Sequence, residues 1–291
     1  MTDYLTTSEV ASLLRIKERK VYDLASSGAL PCSKAIGKLL FPRDQIEAWI
    51  AANAPQTIDS IALNRPSVAL GSLDPLLEWS LRESASGIAM LFDGSADGLR
   101  RFSQAQGILA GLHIHDAATD TWNVRAIEQQ KVTSAVLIEW ATRQRGLILR
   151  SGLDTKIRSI NDLVGHTVVP RQVDAGAQAI LINLLNQHGV SEDAVLFTSV
   201  ARTEHDLGET ISRGQADAGL GLASIAALYQ LPFVPLIDER YDLLVDRKHF
   251  FEPPFQQLLA FAESTQFQRY ARSLTGYDTN NLGRVHLNTS V

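Results

Sequence analysis

Residues 5–50 of the chain read LTTSEVASLLRIKERKVYDLASSGALPCSKAIGKLLFPRDQIEAWI, and this segment determines how the N-terminal part folds. Thr6 precedes a run of apolar residues at helical spacing, and Glu9 follows three residues later, which predicts a capping box at a helix start. Val21 and Leu24 belong to a second helical run. We expect Gly28 to end it, because glycine adopts the left-handed conformation at low cost. Two short helices joined this closely predict a helix-turn-helix.

The second half of this segment predicts a wing and a closing helix. Leu30 and Pro31 begin an extended run, Gly37 marks a hairpin tip, and the apolar residues after it return as a second strand. Asp44 is expected to cap a last helix. Since the second helix of a helix-turn-helix enters a major groove about 12 Å wide, outward basic and aromatic side chains are the candidate DNA contacts. These candidates are Lys17, Arg19, Lys20, Tyr22, Lys34 and Lys38.

The segment as a whole resembles the excisionase and MerR-like winged helix-turn-helix family. The resemblance rests on four motifs in order, LTTSEVASLL, VYDLASSGALP, K-x-I-G-K and F-x-x-D-x-I-x-x-WI. The family often has Ser-x-x-Thr before Val-Tyr, where this chain has KERK at 17–20. The resemblance implies binding to double-stranded DNA and leaves the preferred base sequence open.

Length and composition are those of a globular protein with more than one domain. The chain has 291 residues, of which 45% are hydrophobic and 20% charged. Its net charge of -5 is uneven: residues 1–55 hold 7 Lys and Arg against 6 Asp and Glu (+1), which leaves 20 against 26 (-6). One cysteine excludes an internal disulfide framework. We expect a cytoplasmic protein without membrane contact, because no apolar run approaches about 20 residues and no export signal is evident.

The predicted domain boundaries are a winged helix-turn-helix over residues 1–54, a linker over 55–65 and a ligand-sensing domain over 66–291. The linker is polar and contains a proline. An alternative stays open, in which the last helix continues into a dimerisation helix. Four residues at helical spacing favour that alternative, namely Ile58, Ile61, Ala62 and Arg65.

From residue 66 onward, strands alternate with helices, which predicts a parallel α/β sheet. The turns after the first two strands contain Ser72, Asp74 and Ser95. Such turns gather at the carboxyl edge of a doubly wound sheet, where ligands bind, so these three are candidate ligand contacts, although either serine alone could cap a helix. His113 and His115 end the third strand on one face. No third metal ligand is identifiable, which favours a structural or surface role for both.

The second half of this domain contains the sequence PRQVDAGAQ at 170–178, directly before a helix. Its small residues can bring backbone N–H groups at the positive helix end against an anion, and Arg171 can add a two-pronged donor. A surface ion pair of Arg171 with Asp174 or Asp206 is the alternative. Residues 146–149 are expected to leave the first lobe as a strand, and 243–245 to return to it. The ligand candidates of this half are Arg171, Gln172, Gly176, Ala177 and Tyr241.

Residues 66 to about 287 resemble a type II periplasmic-binding-protein fold with two lobes and two crossover strands. GSLDPLL, VVPRQVDAGAQAILINLL, FVPLIDERYDLLV and GYDTNNLGRV resemble the domains joined to excisionase-like winged helices in bacterial one-component regulators. Molybdate- and tungstate-binding proteins are related to these domains. The resemblance implies a first lobe of about 66–147 with 240–291 and a second of about 148–239. The related pattern Asn-Arg-Gln-x-Gly-[AS]-Gly-Thr-Arg is changed here at positions 170, 174, 177 and 178.

Catalytic motifs are absent from the sequence: it has no G-x-S-x-G elbow, no phosphate-binding loop and no paired acids with an assignable role. We therefore expect no enzyme, no catalytic metal and no cofactor. The resemblances imply a transcription regulator that binds an operator as a homo-oligomer, dimer or tetramer, and senses a small anion, first molybdate or tungstate. Two alternatives stay open, a LysR-like tetramer that senses a small organic acid such as formate, and a ligand-binding module whose helix-turn-helix contacts protein.

Overall fold

The structure, a computed structural model, describes residues 4–14, 16–35, 38–53 and 65–290. Its contacts divide the chain into two compact units, residues 1–64 and 65–291. Because residues 54–64 lie outside the described part, so does the choice between a linker and a dimerisation helix there.

The first unit is a helix-turn-helix with a small antiparallel sheet, whose strands lie in the order β1-β3-β2. Its elements are β1 (Tyr4–Leu5), α1 (Thr7–Leu14), α2 (Glu18–Ser26), β2 (Ser33–Ala35), β3 (Lys38–Pro42) and α3 (Arg43–Asn53). Side chains from all three helices and from the sheet form one apolar core. Its buried members are Leu5, Val10, Ala11, Val21, Leu30, Phe41 and Ile46.

Local sequence signals set the helix ends of this unit. The capping box is confirmed, since the Thr6 N–H donates to Glu9 Oε2 at 2.7 Å and the Glu9 N–H donates to Thr6 Oγ1 at 3.3 Å. Gly28 follows α2 with φ of +71°, as predicted. The prediction for Asp44 is wrong: α3 begins at Arg43, so Asp44 lies in the first turn, where its charge faces the positive end of the helix dipole.

The second unit is built on one ten-stranded sheet, in which the main strands lie in the order β11-β10-β12-β9-β13-β6-β4-β5. The strands are β4 (Val68–Gly71), β5 (Ala89–Phe92), β6 (Leu109–Leu112), β7 (His115–Asp116), β8 (Thr121–Trp122), β9 (Ala135–Leu149), β10 (Thr167–Val169), β11 (Leu196–Phe197), β12 (Ala218–Leu222), β13 (Phe233–Asp246), β14 (Tyr277–Asp278) and β15 (Val285–Asn288). β14 and β15 pair with β9, and β7 with β8 forms a separate hairpin.

Nine helices cover this sheet in the described part of the unit. They are α4 (Pro75–Glu83), α5 (Ser95–Ser103), α6 (Val124–Gln129), α7 (Gly176–Gln187), α8 (Glu204–Ser212), α9 (Ala223–Leu228), α10 (Arg247–Phe250), α11 (Pro253–Ala262) and α12 (Thr265–Ser273). Two short 3-10 helices lie at Ile160–Leu163 and Glu192–Ala194. None of the helices described in either unit has the length and apolarity needed to cross a membrane.

Two lobes share the sheet. In the first lobe β4 pairs in parallel with β5 and β6, and in the second lobe β10 pairs in parallel with β11 and β12. β9 and β13 connect the lobes as long antiparallel crossover strands. Each lobe has its own apolar core, with Leu77 and Phe255 in the first and Leu163 and Leu181 in the second.

The crossover strands correct one expectation. The sheet is mixed and not parallel throughout, because β9 and β13 run antiparallel to each other and to their neighbours. The strands expected at residues 146–149 and 243–245 are confirmed as parts of these two longer strands, which have 15 and 14 residues. Both strands place charged residues near their centres, and these residues form the candidate site.

Candidate functional site

The exposed face of α2 carries side chains that the sequence nominates for DNA contact. Arg19, Lys20 and Tyr22 are exposed, whereas Val21 between them is fully buried in the core of the unit. Lys17 is the N-cap residue of α2 and is also exposed. The helix therefore buries Val21 and exposes Arg19 and Lys20 to solvent beside the acidic Glu18 and Asp23.

A two-stranded hairpin follows α2 in the position of a wing. β2 pairs with β3 antiparallel, with Lys34 opposite Leu39. Lys38 begins β3 and is exposed. The side chain of Lys34 and the expected hairpin tip at Gly37 lie outside the described residues.

In the second unit, three loops meet at the carboxyl edge of the first lobe. Ser72 follows β4, Ser95 lies just after β5, and His113 follows β6. Ser95 Oγ accepts a hydrogen bond from the His113 backbone N–H at 3.1 Å, and Ser72 Oγ lies 2.9 Å from His113 Nε2. The two serines nominated from sequence are thus joined by His113, which the sequence assigned to a structural or surface role.

The second lobe reaches the same histidine. α7 begins at Gly176, and a Cβ atom on this residue would lie 2.7 Å from His113 Cε1. Only glycine permits this approach without a shift. Ala177, the next residue, is buried. The start of α7 and the Ser72 loop therefore meet across His113.

The two lobes also touch at one edge of the cleft. Gln172 Nε2 donates to the backbone oxygen of Asp93 at 3.1 Å. A Cβ atom on Gly94 would lie 2.6 Å from the backbone oxygen of Asp174. The cleft between the two lobes is therefore closed in this structure. Gln172 Oε1 is buried and has no hydrogen-bond partner among the described residues.

Charged side chains fill the interior of the cleft as an inter-lobe ion network. We define the network as Asp74, Arg143, Arg145, Arg171, Glu204 and Glu239. Five of the six side chains are nearly inaccessible, with exposures of at most 5%, and Arg171 is 11% exposed. The network contains three guanidinium groups and three carboxylates, so its formal charges cancel.

The contacts in this network run continuously from the first lobe to the second. Arg143 contacts Asp74 Oδ2 at 2.9 Å and also pairs with Glu239. Arg145 lies 2.6 Å from Glu239 Oε2 and 3.0 Å from Glu204 Oε1. Because Arg143 and Arg145 lie two residues apart on β9, their side chains project to the same face and share Glu239.

Arg171 closes this chain of contacts in the second lobe. It lies 3.0 Å from Glu204 Oε1 and donates to the backbone oxygens of Ala201 and Arg202 at 3.0 and 2.9 Å. The alternative prediction, in which Arg171 pairs with Asp174 or Asp206, is wrong, because Arg171 pairs with Glu204. Asp206 instead completes the capping box of α8.

The network favours the ionised form of two of its carboxylates, Glu239 and Glu204. Burial alone would raise the pKa of Glu239, but the charges of Arg143 and Arg145 outweigh it and hold this pKa well below its usual range. Burial also opposes the ionisation of Glu204, but the charges of Arg145 and Arg171 outweigh it and lower the pKa of this carboxyl group. Breaking a buried pair by removing one partner leaves an uncompensated charge, so these contacts are interdependent.

His113 connects the network to Ser72. Its Nδ1 atom lies 2.8 Å from Glu239 Oε2, while Nε2 faces Ser72 Oγ. A serine, a histidine and a carboxylate in this order also occur in acyl-transfer triads, where the carboxylate stabilises the imidazolium. Here Arg143 and Arg145 neutralise Glu239, and burial lowers the pKa of His113 despite the carboxylate. The arrangement therefore holds a neutral imidazole.

Tyr241 lies beneath the network. Its side chain is fully buried, its hydroxyl donates to the Ser72 backbone oxygen at 2.6 Å, and the Arg143 guanidinium lies 4.3 Å from its ring centre. A Cβ atom on Gly111 would lie 1.8 Å from the Tyr241 hydroxyl. In this closed form, Tyr241 positions the Ser72 loop and supports Arg143 from below.

Asp74 has a structural contact as well as its place in the network. It is the N-cap residue of α4, where Oδ1 accepts from the Leu77 N–H at 2.8 Å. Oδ2 accepts from the Tyr277 hydroxyl at 2.6 Å. The capping role weighed for Ser72 therefore belongs to Asp74.

Sequence reasoning missed four members of the site, namely Arg143, Arg145, Glu204 and Glu239. A usable signal was present, because two arginines at i and i+2 lie near the centre of β9, between apolar segments at its two ends. Alternation of this kind places both side chains on one face of a strand. Glu204 carries no such signal, since it reads as an ordinary first-turn acid of α8.

His115 is separate from this site. Its Nε2 atom lies 2.9 Å from Asp120 Oδ1, and its ring packs on Trp122 with centroids 4.7 Å apart. No group of three or more metal-ligating side chains occurs among the described residues.

Two family models match the chain. A helix-turn-helix domain matches residues 4–54, and a PBP superfamily domain matches residues 78–263. The protein YvgK of Bacillus subtilis (strain 168) is 26% identical over 310 residues, which cover 99% of this chain and 99% of that protein.

Among solved structures, an ancestral arginine-binding protein bound to arginine has a TM-score of 0.49 and 13% identity, and covers 72% of this chain and 97% of its own. PhnD1 from Prochlorococcus marinus (MIT 9301), in complex with methylphosphonate, has a TM-score of 0.48 and 10% identity, and covers 74% of this chain and 92% of its own.

Proposed function

The chain belongs to the PBP superfamily and carries a helix-turn-helix domain, and on this basis we propose that it is a transcription regulator controlled by a small ligand bound between its lobes. The union of these two domains in one chain is the observation that carries the proposal. A protein with this role acts in the bacterial cytoplasm, where the chromosome lies. No catalytic step is assigned to the Ser72 and His113 pair.

Control by a ligand requires two arrangements with different affinities for it. The closed cleft brings the Ser72 loop, His113 and the start of α7 within contact distance. A ligand that touches groups from both lobes binds this form better than an open one. Its binding would then favour the closed form and change how the chain engages an operator.

The first ligand candidate is molybdate or tungstate, on the resemblance noted from the sequence. The start of α7, with Gly176 and Ala177, supports an anion, because backbone N–H groups at a helix start attract negative charge. Ser72 and Ser95 add hydroxyl groups. Arg171 and Gln172 are further predicted contacts from the second lobe.

A small organic acid such as formate is the second candidate, and the charge balance of the network favours it. Each of the three arginines already contacts a carboxylate. A dianion that is taken out of water needs uncompensated positive charge, and a singly charged acid needs less.

Isothermal titration calorimetry of the full-length protein distinguishes the ligand classes. Saturable heat with molybdate and tungstate, and none with formate, supports the oxyanion. Heat with formate or another small acid alone supports the second candidate. If none of these ligands gives heat, both candidates are rejected.

DNA binding is tested by substitution on the exposed face of α2 and on the hairpin. After an operator has been selected from genomic fragments, Arg19→Ala and Lys38→Ala should each weaken binding and lower the slope of log K against log salt by about 1. Lys156→Ala, an exposed change in the second unit, is the matched control and should leave both quantities unchanged. Equal affinities for all four proteins would favour a protein partner for the helix-turn-helix.

The oligomeric state separates the main proposal from the LysR-like alternative. A homodimer on two half-sites is the arrangement we propose, since dimeric helix-turn-helix proteins read paired half-sites one helical turn apart. Sedimentation equilibrium should then give twice the chain mass of 31.9 kDa. A fourfold mass would support the tetrameric alternative.

A further inference from the structure

A second cavity lies between the lobes, apart from the inter-lobe ion network. It has a volume of about 320 Å³, at the lower end of the range of small-molecule sites. The first lobe contributes Tyr270 and Leu274, and the second contributes His205, Ser224, Ile225 and Leu228. None of the ligand contacts nominated from sequence lines it.

One residue of the cavity lining, Ser224, has a buried hydroxyl group. Ser224 is 7% exposed, and its Oγ atom has no hydrogen-bond partner among the described residues. A buried hydroxyl without a partner is unfavourable unless something supplies the missing hydrogen bond. Ile225 beside it is also buried. Ser224 and Ile225 therefore bring one polar atom without a partner next to an apolar side chain in the lining.

The wall from the first lobe is held in place by ring stacking. The Tyr270 ring stacks on Trp79 with centroids 4.0 Å apart and 20° between the ring planes, and Trp79 also packs on Phe261 at 5.3 Å. An aromatic side chain fixed in this way provides a preformed flat surface for a ligand.

The lining mixes apolar side chains with uncharged polar ones, among them Ser273 and Thr275, and with His205. Leu228 is 60% exposed at the rim, a large apolar side chain that a bound molecule would cover. None of the residues that line the cavity is Asp, Glu, Lys or Arg. A charged ligand would find no counter-ion here, so the lining selects for a neutral molecule.

We propose that this cavity is a second binding site, for a neutral and largely apolar ring-sized molecule that carries one hydroxyl or carbonyl group directed at Ser224. Such a ligand would bridge α9 of the second lobe and α12 of the first. If the proposed function holds, it would also favour the closed cleft and thereby assist the effector.

Methyl-labelled full-length protein tests the site with two matched probes, 4-ethylphenol and ethylbenzene, which differ by one hydroxyl group. Saturable shifts of the Ile225 and Leu274 methyl signals are expected with both probes. Ser224→Ala should weaken 4-ethylphenol about fivefold, the typical effect of one hydrogen bond, and leave ethylbenzene unchanged. Ser212→Ala, which removes an exposed hydroxyl on α8, should change neither affinity.

Ala227→Trp provides an independent test, because residue 227 lines the cavity and is exposed, so that a large side chain can block the cavity without entering the core. It should abolish the shifts with both probes while the circular dichroism spectrum stays unchanged. Absence of saturable shifts in the original protein, binding that survives Ala227→Trp, or equal loss of both probes in Ser224→Ala would each overturn the proposal. All three readouts are independent of DNA binding and of the effector, so failure here leaves the proposed function standing.

Discussion

At the scale of single residues, Glu239 holds the inter-lobe ion network together. It is fully buried and contacts Arg143, Arg145 and His113 at once. Its removal leaves buried guanidinium charge without its full complement of partners. The side chain is therefore expected to matter for stability far more than an exposed glutamate does.

Glu239→Gln should lower the free energy of unfolding by about 3–5 kcal/mol, the range found when one partner of a buried ion pair is removed. Chemical denaturation of the two proteins measures this difference. Glu209→Gln is the matched control, because Glu209 pairs with Arg213 on the surface of α8, where such pairs contribute about 1 kcal/mol or less. Similar small losses for both variants would contradict the network.

Asp217 provides a pH test that does not involve the cleft. Burial opposes its ionisation, but hydrogen bonds from the Thr167 N–H at 3.0 Å, the Thr167 hydroxyl at 2.9 Å and the Arg150 guanidinium at 2.7 Å outweigh it. The pKa of Asp217 is thereby lowered to about 2. Since the folded pKa lies below the unfolded value of about 3.9, this contribution to stability is full above pH ~4 and is lost as the pH falls toward 2.

A carboxyl carbon NMR titration should give the Asp217 signal a midpoint near pH 2, with the signal assigned by its loss in Asp217→Asn. A midpoint near 4 would show that these hydrogen bonds do not favour the ionised form.

Single residues also show which contacts can be predicted from the sequence and which cannot. The Thr6 and Glu9 capping box was predictable because both partners lie within one turn. Ser72, Ser95 and Gly176 lie next to strand ends and at a helix start, as predicted, and their contact with a ligand stays a prediction. Their common contact with His113 was not predicted, because it brings together segments that are distant in the sequence. The contact of His113 with Glu239, for example, joins residues 126 positions apart.

At the scale of elements, the crossover strands are the part of the fold that the sequence indicates least well. The sequence predicts the returning strand only over residues 243–245, because the charged residues at 238–242 before it are of types that are rarely buried within a strand. In the structure this run lies inside β13, paired with β9 from Gln144 to Glu139. Ion pairing across the sheet makes the burial tolerable, and no local pattern reports such pairing. The remaining α/β alternation and the winged helix-turn-helix follow from local periodicity and turn residues.

The contact between β6 and β13 can be tested at Gly111. A Cβ atom there would lie 1.8 Å from the Tyr241 hydroxyl, so Gly111→Ala must move the strands apart or displace the ring. We expect a loss of about 1–3 kcal/mol in the free energy of unfolding, typical of overpacking. The loss should be smaller when Gly111→Ala is made together with Tyr241→Phe, which removes the hydroxyl oxygen. Equal losses in both backgrounds would show that the close contact is not the cause.

At the scale of the whole molecule, one unit is a helix-turn-helix domain and the other contains a closed, charge-balanced cleft. The first 55 residues carry a charge of +1 and the remainder -6. This division suits a chain in which only the first unit approaches DNA. Ligand control then depends on whether occupation of the cleft changes the affinity of the first unit for an operator.

Fluorescence anisotropy of a labelled operator tests this dependence directly. The full-length protein is titrated with and without the small-molecule dialysate of a bacterial extract, and with molybdate, tungstate and formate singly. At least one addition should change operator affinity about 5- to 150-fold, the usual range of coupling between two sites. Arg171→Met should lose that response and keep its affinity for DNA in the absence of any addition. Identical isotherms under every condition, in a protein that binds the operator, would contradict ligand control.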